Sequence, residues 1–204
     1  MKYGYISIWL IQGRNEFEMR EYKFQNYNGF KYSYQFDQIL CNMALEMVTQ
    51  DITNSITVNF IKEIIPHNLA AMYMCQNISV YTNYSAIIGI SESIVKTQKD
   101  MIEKMKEILK TTKGYINSSQ NVNMYIGQYF KLTQNMINNM KNVARNQNIN
   151  LDFTNQMILH YEGGIEIENN VLKYYIDPRL KKIIEDNILL QKRMVEEMRN
   201  LEKM

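Results

Sequence analysis

Residues 61–74 read IKEIIPHNLAAMYM, and residues 154–167 read TNQMILHYEGGIEI. Each stretch holds a histidine inside an apolar run, and these are the only two histidines among the 204 residues of the chain. They are His67 and His160, 93 positions apart. When the sequence is aligned with itself at that offset, residues 32–109 match residues 125–202 without a gap, and 18 of the 78 positions are identical. This self-similarity predicts a tandem repeat.

Each repeat has the apolar spacing of three helices. In the middle helix, core-facing positions recur every three or four residues from residue 60 to residue 78, and again from residue 153 to residue 171. Asp177 followed by Pro178 predicts the beginning of the last helix, because aspartate caps a helix and proline fits its first turn. The predicted helices cover residues 33–50, 56–81, 84–112, 122–145, 151–175 and 178–203.

The predicted fold class is all-α, a helical bundle built from two tandem three-helix repeats with pseudo-two-fold symmetry. In this arrangement the two long helices of the first repeat pack against those of the second. The chain divides into residues 1–31, an N-terminal extension with a candidate short β-hairpin, residues 32–112 as repeat one, residues 113–121 as a linker, and residues 122–204 as repeat two.

Composition excludes several classes of function. The 23 lysines and arginines nearly balance the 21 acidic residues, so nothing indicates binding to nucleic acid or to an anionic membrane. No stretch approaches the roughly 20 apolar residues of a membrane span. The two cysteines, Cys41 and Cys75, favour unreactive buried thiols in a reducing compartment. We therefore expect a cytoplasmic protein that binds neither nucleic acid nor membranes, and leave a homo-oligomer open.

Methionine is the unusual residue of this chain, which has 15 of them. Eight occupy four repeat-equivalent pairs, and thioethers beside an imidazole suit Cu(I). Copper is therefore the candidate metal ion, although no cofactor is required. The candidate metal ligands are His67, Met43, Met47, Met74, Met101, Met105, His160, Met136, Met140, Met194 and Met198. The alternative is that the methionines fill gaps in the core and that His67 is a core histidine bonded to the amide of Gln98.

Known catalytic patterns are missing from the sequence, which has no Gly-x-Ser-x-Gly, P-loop, dinucleotide-binding loop or Cys-x-x-Cys. A di-iron carboxylate site needs two Glu-x-x-His motifs. Here Glu63 precedes His67 by four residues, and Gln156 takes its place in the second repeat. We therefore expect no enzymatic activity.

Three acidic residues follow His160 closely. They are Glu162, Glu166 and Glu168. Acidic residues close together on a helix most often form a solvated face, which is the interpretation adopted here, and a site for a hard metal ion is the alternative.

The stretch IIPHNLAAMYM (64–74), with a methionine pair upstream and Gln-x-x-Met-x-x-x-Met downstream, resembles the bacterial family called domain of unknown function 305. That family has the motif Pro-His-His-Glu-Gly-Ala-Ile-Glu-Met. The resemblance covers both repeats and implies a ferritin-like bundle, and some members of the family are associated with copper handling. Asn68 and Tyr161 stand where the family has its second histidine, and Ile167 stands where it has methionine.

Three classes of function follow from these patterns. The first is a non-catalytic helical-bundle protein, a structural or interaction module with a degenerate His/Met site. The alternative is a protein that binds or buffers a soft metal ion such as copper. An oxidative di-metal enzyme is the third.

Overall fold

The structure, a computed structural model, describes residues 27–201. This part of the chain contains six α-helices and no strand, which confirms the all-α prediction there. The helices are α1 (Tyr27–Val48), α2 (Ile56–Tyr81), α3 (Ser85–Thr111), α4 (Ser119–Asn142), α5 (Ile149–Val171) and α6 (Pro178–Leu201). Helix α1 begins six residues before the predicted start at residue 33. The candidate β-hairpin lies outside the described residues.

Corresponding helices of the two halves begin at corresponding positions. Helices α2 and α5 begin at Ile56 and Ile149, and α3 and α6 begin at Ser85 and Pro178, so both pairs keep the offset of the sequence alignment. The predicted cap of α6 is confirmed, because Oδ1 of Asp177 accepts a hydrogen bond of 2.9 Å from the backbone N–H of Arg179.

Helix α2 packs against α1 and α3, and α5 packs against α4 and α6. The two groups of three meet through α2 with α5, α1 with α4, and α3 with α6. The contacts of α2 with α5 and of α3 with α6 are those expected from the sequence. Apolar side chains from all six helices form one core. Within residues 27–201, no helix combines the length and the apolar character that crossing a membrane requires.

Several contacts recur at equivalent positions of the two halves. The side-chain amide of Asn77 donates to the backbone oxygen of Tyr32 at 2.9 Å, and Asn170 donates to the backbone oxygen of Tyr125 at 3.3 Å. Tyr32 also packs edge-on against Tyr81, and Tyr125 packs edge-on against Tyr174. These two hydrogen bonds connect α1 to α2 and α4 to α5 in the same way.

Candidate functional site

The two histidines meet where α2 contacts α5. The rings of His67 and His160 stack with centroids 3.8 Å apart and planes inclined by only 10°. Both side chains are buried. The repeat spacing explains the meeting, since equivalent positions on two contacting, equivalent helices lie at the same level of the bundle.

Both ring nitrogens of His67 face groups of the protein. Nε2 lies 3.2 Å from the backbone oxygen of His160, and Nδ1 lies 3.3 Å from the side-chain oxygen Oδ1 of Asn68. Burial lowers the pKa of His67, so the ring is neutral at pH 7 and has one donor and one acceptor. Nε2 must donate to the carbonyl oxygen, which leaves Nδ1 as the acceptor.

An acceptor at Nδ1 requires a donor from Asn68. The two ends of an amide have nearly the same shape, and turning this one by 180° places its Nδ2 group against Nδ1. In the present orientation Nδ2 of Asn68 has no partner among the described residues. The turned amide therefore donates to Nδ1, so that both ring nitrogens of His67 are hydrogen-bonded, and the amide oxygen takes the place that has no partner.

The expected hydrogen bond between His67 and Gln98 is wrong. His67 bonds to the backbone of α5 and to Asn68. Gln98 instead faces the hydroxyl group of Tyr161. Burial raises the pKa of this hydroxyl well above its usual value. Helical spacing identified the buried faces correctly. It carried no information about which residue of a neighbouring helix each polar side chain would meet.

Gly164 explains how His67 reaches a backbone carbonyl. A Cβ atom on Gly164 would lie 2.8 Å from Cε1 and 3.0 Å from Nε2 of His67, closer than real Cβ contacts allow. The equivalent residue of α2 is Ala71, which carries the methyl group that Gly164 lacks. The mirrored bond from His160 to α2 is absent, and both ring nitrogens of His160 are unpartnered within residues 27–201.

The nine methionines of the candidate metal site are all buried in the core. They lie on α1 (Met43, Met47), α2 (Met74), α3 (Met101, Met105), α4 (Met136, Met140) and α6 (Met194, Met198). One of them, Met136, packs against Gly163, which is one helical turn beyond His160 on α5. In the described part of the chain, no three side chains of His, Cys, Asp or Glu are grouped so as to hold a metal ion.

The stacked rings do not fit a metal ion bound by both histidines. A metal lies in the plane of each imidazole that binds it, at about 2.0–2.1 Å from the nitrogen. Planes inclined by 10° and 3.8 Å apart at their centroids meet only at a distance on the order of 20 Å, ten times such a bond. Burial, and to a lesser extent the neighbouring His67, hold the pKa of His160 well below its usual value. Of the two histidines, only His160 has ring nitrogens without a partner among the described residues.

Sequence reasoning missed a buried carboxyl group on α5. Glu168 is fully buried, so the predicted solvated acidic face is wrong for this residue, while Glu162 is partly exposed and pairs with Arg199. The carboxyl of Glu168 accepts from Asn187 at 2.6 Å and faces the Gln191 amide at 3.4 Å. Burial raises its pKa to about 8, against the lowering effect of Asn187. Glu168 lies eight residues after His160, on the same face of the helix, and this spacing was the signal in the sequence that Glu168 is buried.

A second buried carboxyl group connects the two halves of the chain. Glu63 on α2 accepts a hydrogen bond of 2.5 Å from the hydroxyl of Tyr125 on α4. Burial raises the pKa of Glu63 to about 8, with the bond from Tyr125 acting in the opposite direction. At neutral pH the carboxyl is therefore mostly protonated, and no ion pair of the described residues includes it.

The thiols agree with the prediction of unreactive cysteines. Cys41 and Cys75 are both free, and Cys75 is buried. Burial raises the pKa of Cys75 to about 12, so this thiol is protonated at neutral pH and is a poor nucleophile.

One protein family matches most of the chain. The model of one protein family, described as "Domain of unknown function (DUF305)", matches residues 57–202, from the first turn of α2 to the end of α6. The chain therefore belongs to this family, as the motif around His67 indicated. Neither the curated proteins nor the solved structures include a match to the chain. The family description assigns no activity.

Proposed function

We propose that this protein is a non-catalytic helical-bundle protein, a structural or interaction module, whose buried histidine pair holds α2 against α5. The observation that carries this proposal is that both ring nitrogens of His67 face protein groups. One of those groups belongs to Asn68, which occupies the place of the second histidine of the family motif. The side chain of Asn68 thus occupies Nδ1 of His67, the histidine of the motif that remains.

The proposal includes a ferritin-like architecture of two tandem repeats. Its support is the common offset of the helix starts, together with the equivalent bonds of Asn77 and Asn170 to the first helix of each half. It also places the protein in a reducing compartment, the cytoplasm, because both cysteines are free thiols.

Absence of catalysis is proposed because the buried acids already have partners. Glu63 is bonded by Tyr125, and Glu168 is bonded by Asn187. Each is mostly protonated at neutral pH, since burial raises both pKa values to about 8. Both acids are buried and hydrogen-bonded within the core, so neither presents a free carboxylate to a metal ion or a substrate.

A Cu(I) titration of the untagged protein against a chromophoric chelator tests this function. We expect no stoichiometric binding, and the same result for the double variant His67→Ala/His160→Ala. Tight binding of one equivalent by the wild type that disappears in the double variant would contradict the proposal. The variant Asn68→His is the matched gain-of-function control, since it restores the family pair and should introduce binding.

A second candidate function, soft-metal binding, is favoured by one observation. Both ring nitrogens of His160 are buried without a partner among the described residues, and Met136 of α4 packs against Gly163, one turn further along α5. Imidazole and thioether together suit Cu(I). If this candidate is correct, the same titration will show binding that His160→Ala abolishes, that Met136→Leu weakens and that His67→Ala leaves in place.

A further inference from the structure

Helix α2 has an apolar face on the side that its neighbours leave open. The helix contacts α5, α1 and α3. The residues of the remaining side recur at intervals of three or four, the spacing of one face of a helix, and each keeps part of its surface in solvent. Lys62 and Gln76 belong to this side, which is named the outer face of α2. Its other members are apolar, and they are Val58, Ile65, Leu69, Met72, Tyr73 and Val80.

The apolar side chains of the outer face are largely separate from the core. Val80 is 75% exposed and Tyr73 is 51% exposed. In the part of the chain that the structure describes, Ile65 alone among the six is one of the side chains that pack against the core. A helix on the surface of a monomer carries polar residues on the side away from the core. Contiguous exposed apolar side chains instead mark a surface at which another molecule binds.

The equivalent face of α5 has a different character. Helices α2 and α5 begin at equivalent positions, but charged residues take three of the apolar places on α5. Glu162, Glu166 and Lys173 correspond to Leu69, Tyr73 and Val80. Charges at these positions are therefore compatible with the bundle. The apolar residues of α2 are not needed for packing within the chain, which indicates a partner outside it.

The spacing of the outer face is symmetric about Leu69. Three pairs of residues lie at equal distances along the sequence on either side of it, namely Val58 and Val80, Lys62 and Gln76, and Ile65 and Tyr73. Two copies of α2 that pack antiparallel and cross at Leu69 therefore match each residue with its counterpart across a two-fold axis. At a shallow crossing angle of about 20° such helices stay in contact over several turns.

Charge is also compatible with this pairing. Lys62 is the single charged residue of the outer face. In the antiparallel arrangement it meets the neutral amide of Gln76 in the second copy, so the two lysines do not face each other. The face is thus complementary to itself, both in spacing and in charge.

We propose that the outer face of α2 is the interface of a two-fold symmetric homodimer, in which α2 packs antiparallel against α2 of a second copy. The charged face of α5 stays in solvent, so the assembly closes at two copies instead of extending into a filament. The dimer names the partner of the interaction role proposed above and rests on that role. Neither His67 nor His160 belongs to the interface, so the copper titration and the measurement of the dimer succeed or fail separately.

Sedimentation velocity of the untagged full chain, from nanomolar to high micromolar concentrations, tests the proposal. We expect a species with close to twice the 24.3 kDa mass of one chain and none larger. The double variant Leu69→Glu/Tyr73→Glu gives α2 the residues that α5 carries at the equivalent positions, so its fold should persist. The dimer dissociation constant should rise at least about a hundredfold, because each copy places two carboxylates at the centre of an apolar interface.

Glu166→Lys is the matched control, because it changes the charge of the equivalent face of α5 at an exposed position. It should leave the dimer unchanged. A wild type that stays monomeric at every concentration overturns the proposal and leaves the outer face to a different partner. A dimer that persists in the folded double variant also overturns it, because the interface then lies elsewhere.

Substitutions of the exposed Gln76 test the antiparallel register, and they decide the question if the double variant does not fold. Gln76→Glu places a carboxylate opposite Lys62 of the second copy, twice per dimer, and should lower the dissociation constant about fivefold at low salt. Gln76→Lys should raise it by a similar factor. Within one chain the two positions lie about four helical turns apart, too far to pair. If both substitutions act in the same direction, or neither has an effect, the proposed register is wrong.

Discussion

The Nε2 atom of His67 donates to the backbone carbonyl oxygen of His160 at 3.2 Å, across 93 residues of sequence. A side chain can reach the backbone of a neighbouring helix only where that helix has no side chain in the way. Gly164 provides this opening on α5. The approach of His67 to the backbone of α5, at the contact of α2 with α5, therefore depends on one missing methyl group.

Replacing that glycine should weaken the fold. A Cβ atom in Gly164→Ala would lie 2.8 Å from the His67 ring, which must move and lose its bond to the carbonyl group. We expect the free energy of unfolding to fall by about 2–4 kcal/mol, from overpacking and from the buried ring N–H of His67, which loses its acceptor. Urea denaturation at pH 7 measures this change.

The control for this substitution is Gly89→Ala on α3. A Cβ atom at Gly89 meets nothing within 4 Å, so alanine should stabilise the helix by about 0.5–1 kcal/mol. Equal effects of the two substitutions would mean that the approach of His67 to Gly164 contributes nothing to stability.

Stability should fall as the pH rises, because of Glu63. Its pKa of about 8 in the folded protein lies above the ordinary value of 4.5. The contribution of this group is therefore complete below pH 4.5 and is lost as the pH rises through 8. Relative to Glu63→Gln, the wild type should lose up to about 1.4 kcal/mol per pH unit in this range. Urea denaturation of both proteins at pH 5, 6.5 and 8 provides the comparison, and parallel pH profiles would rule out the protonated carboxyl.

The buried histidines should act in the opposite direction. Burial lowers the pKa values of His67 and His160 below 6.5, so their contribution is complete above pH 6.5 and is lost as the pH falls below it. Between pH 6 and pH 5, His160→Phe should remove up to about 1.4 kcal/mol per pH unit from the acid slope of the wild type. An unchanged slope would show that His160 is already protonated in the folded protein.

A buried ion cluster should contribute more than a surface pair. Arg145 bonds Asp152 at 2.7 Å and also bonds Asp37, and the side chain of Asp152 is only 1% exposed. Arg145→Met should cost about 3–5 kcal/mol, because it leaves a buried carboxylate without its partner. Lys182→Met breaks an exposed pair with Asp186 and should cost much less, because solvent screens a surface pair. Thermal or urea unfolding distinguishes the two, and similar losses would contradict this assignment.

The sequence allowed much of the fold to be predicted, because amphipathic spacing and internal similarity are local properties. The start of α2 at Ile56 and the start of α6 at Pro178 coincide with the predictions, and the cap at Asp177 was recognised from two residues. The beginning of α1 was missed by six residues, because residues 27–31 precede residue 32, where the self-similarity of the sequence begins.

The partners of the polar residues could not be predicted in the same way. Helical spacing places His67 and Gln98 on buried faces, but the level at which two helices cross decides which atoms meet. This level is set by small residues such as Gly164, whose effect is visible only when the opposing ring is known. Glu168 was assigned to solvent because its acidic neighbours suggested a charged face, whereas its helical position places it in the core.

The inequality of Gly164 and Ala71 makes the two halves of the chain complementary instead of interchangeable. The first half supplies the ring of His67 and the second half supplies the opening at Gly164, so two copies of the first half would lack that opening. A fragment that ends in the loop between α3 and α4 therefore needs the second half to receive its ring. The loop itself contributes to the pairing, because Asn117 accepts from the backbone N–H of Ile56 and donates to the backbone oxygen of Tyr175.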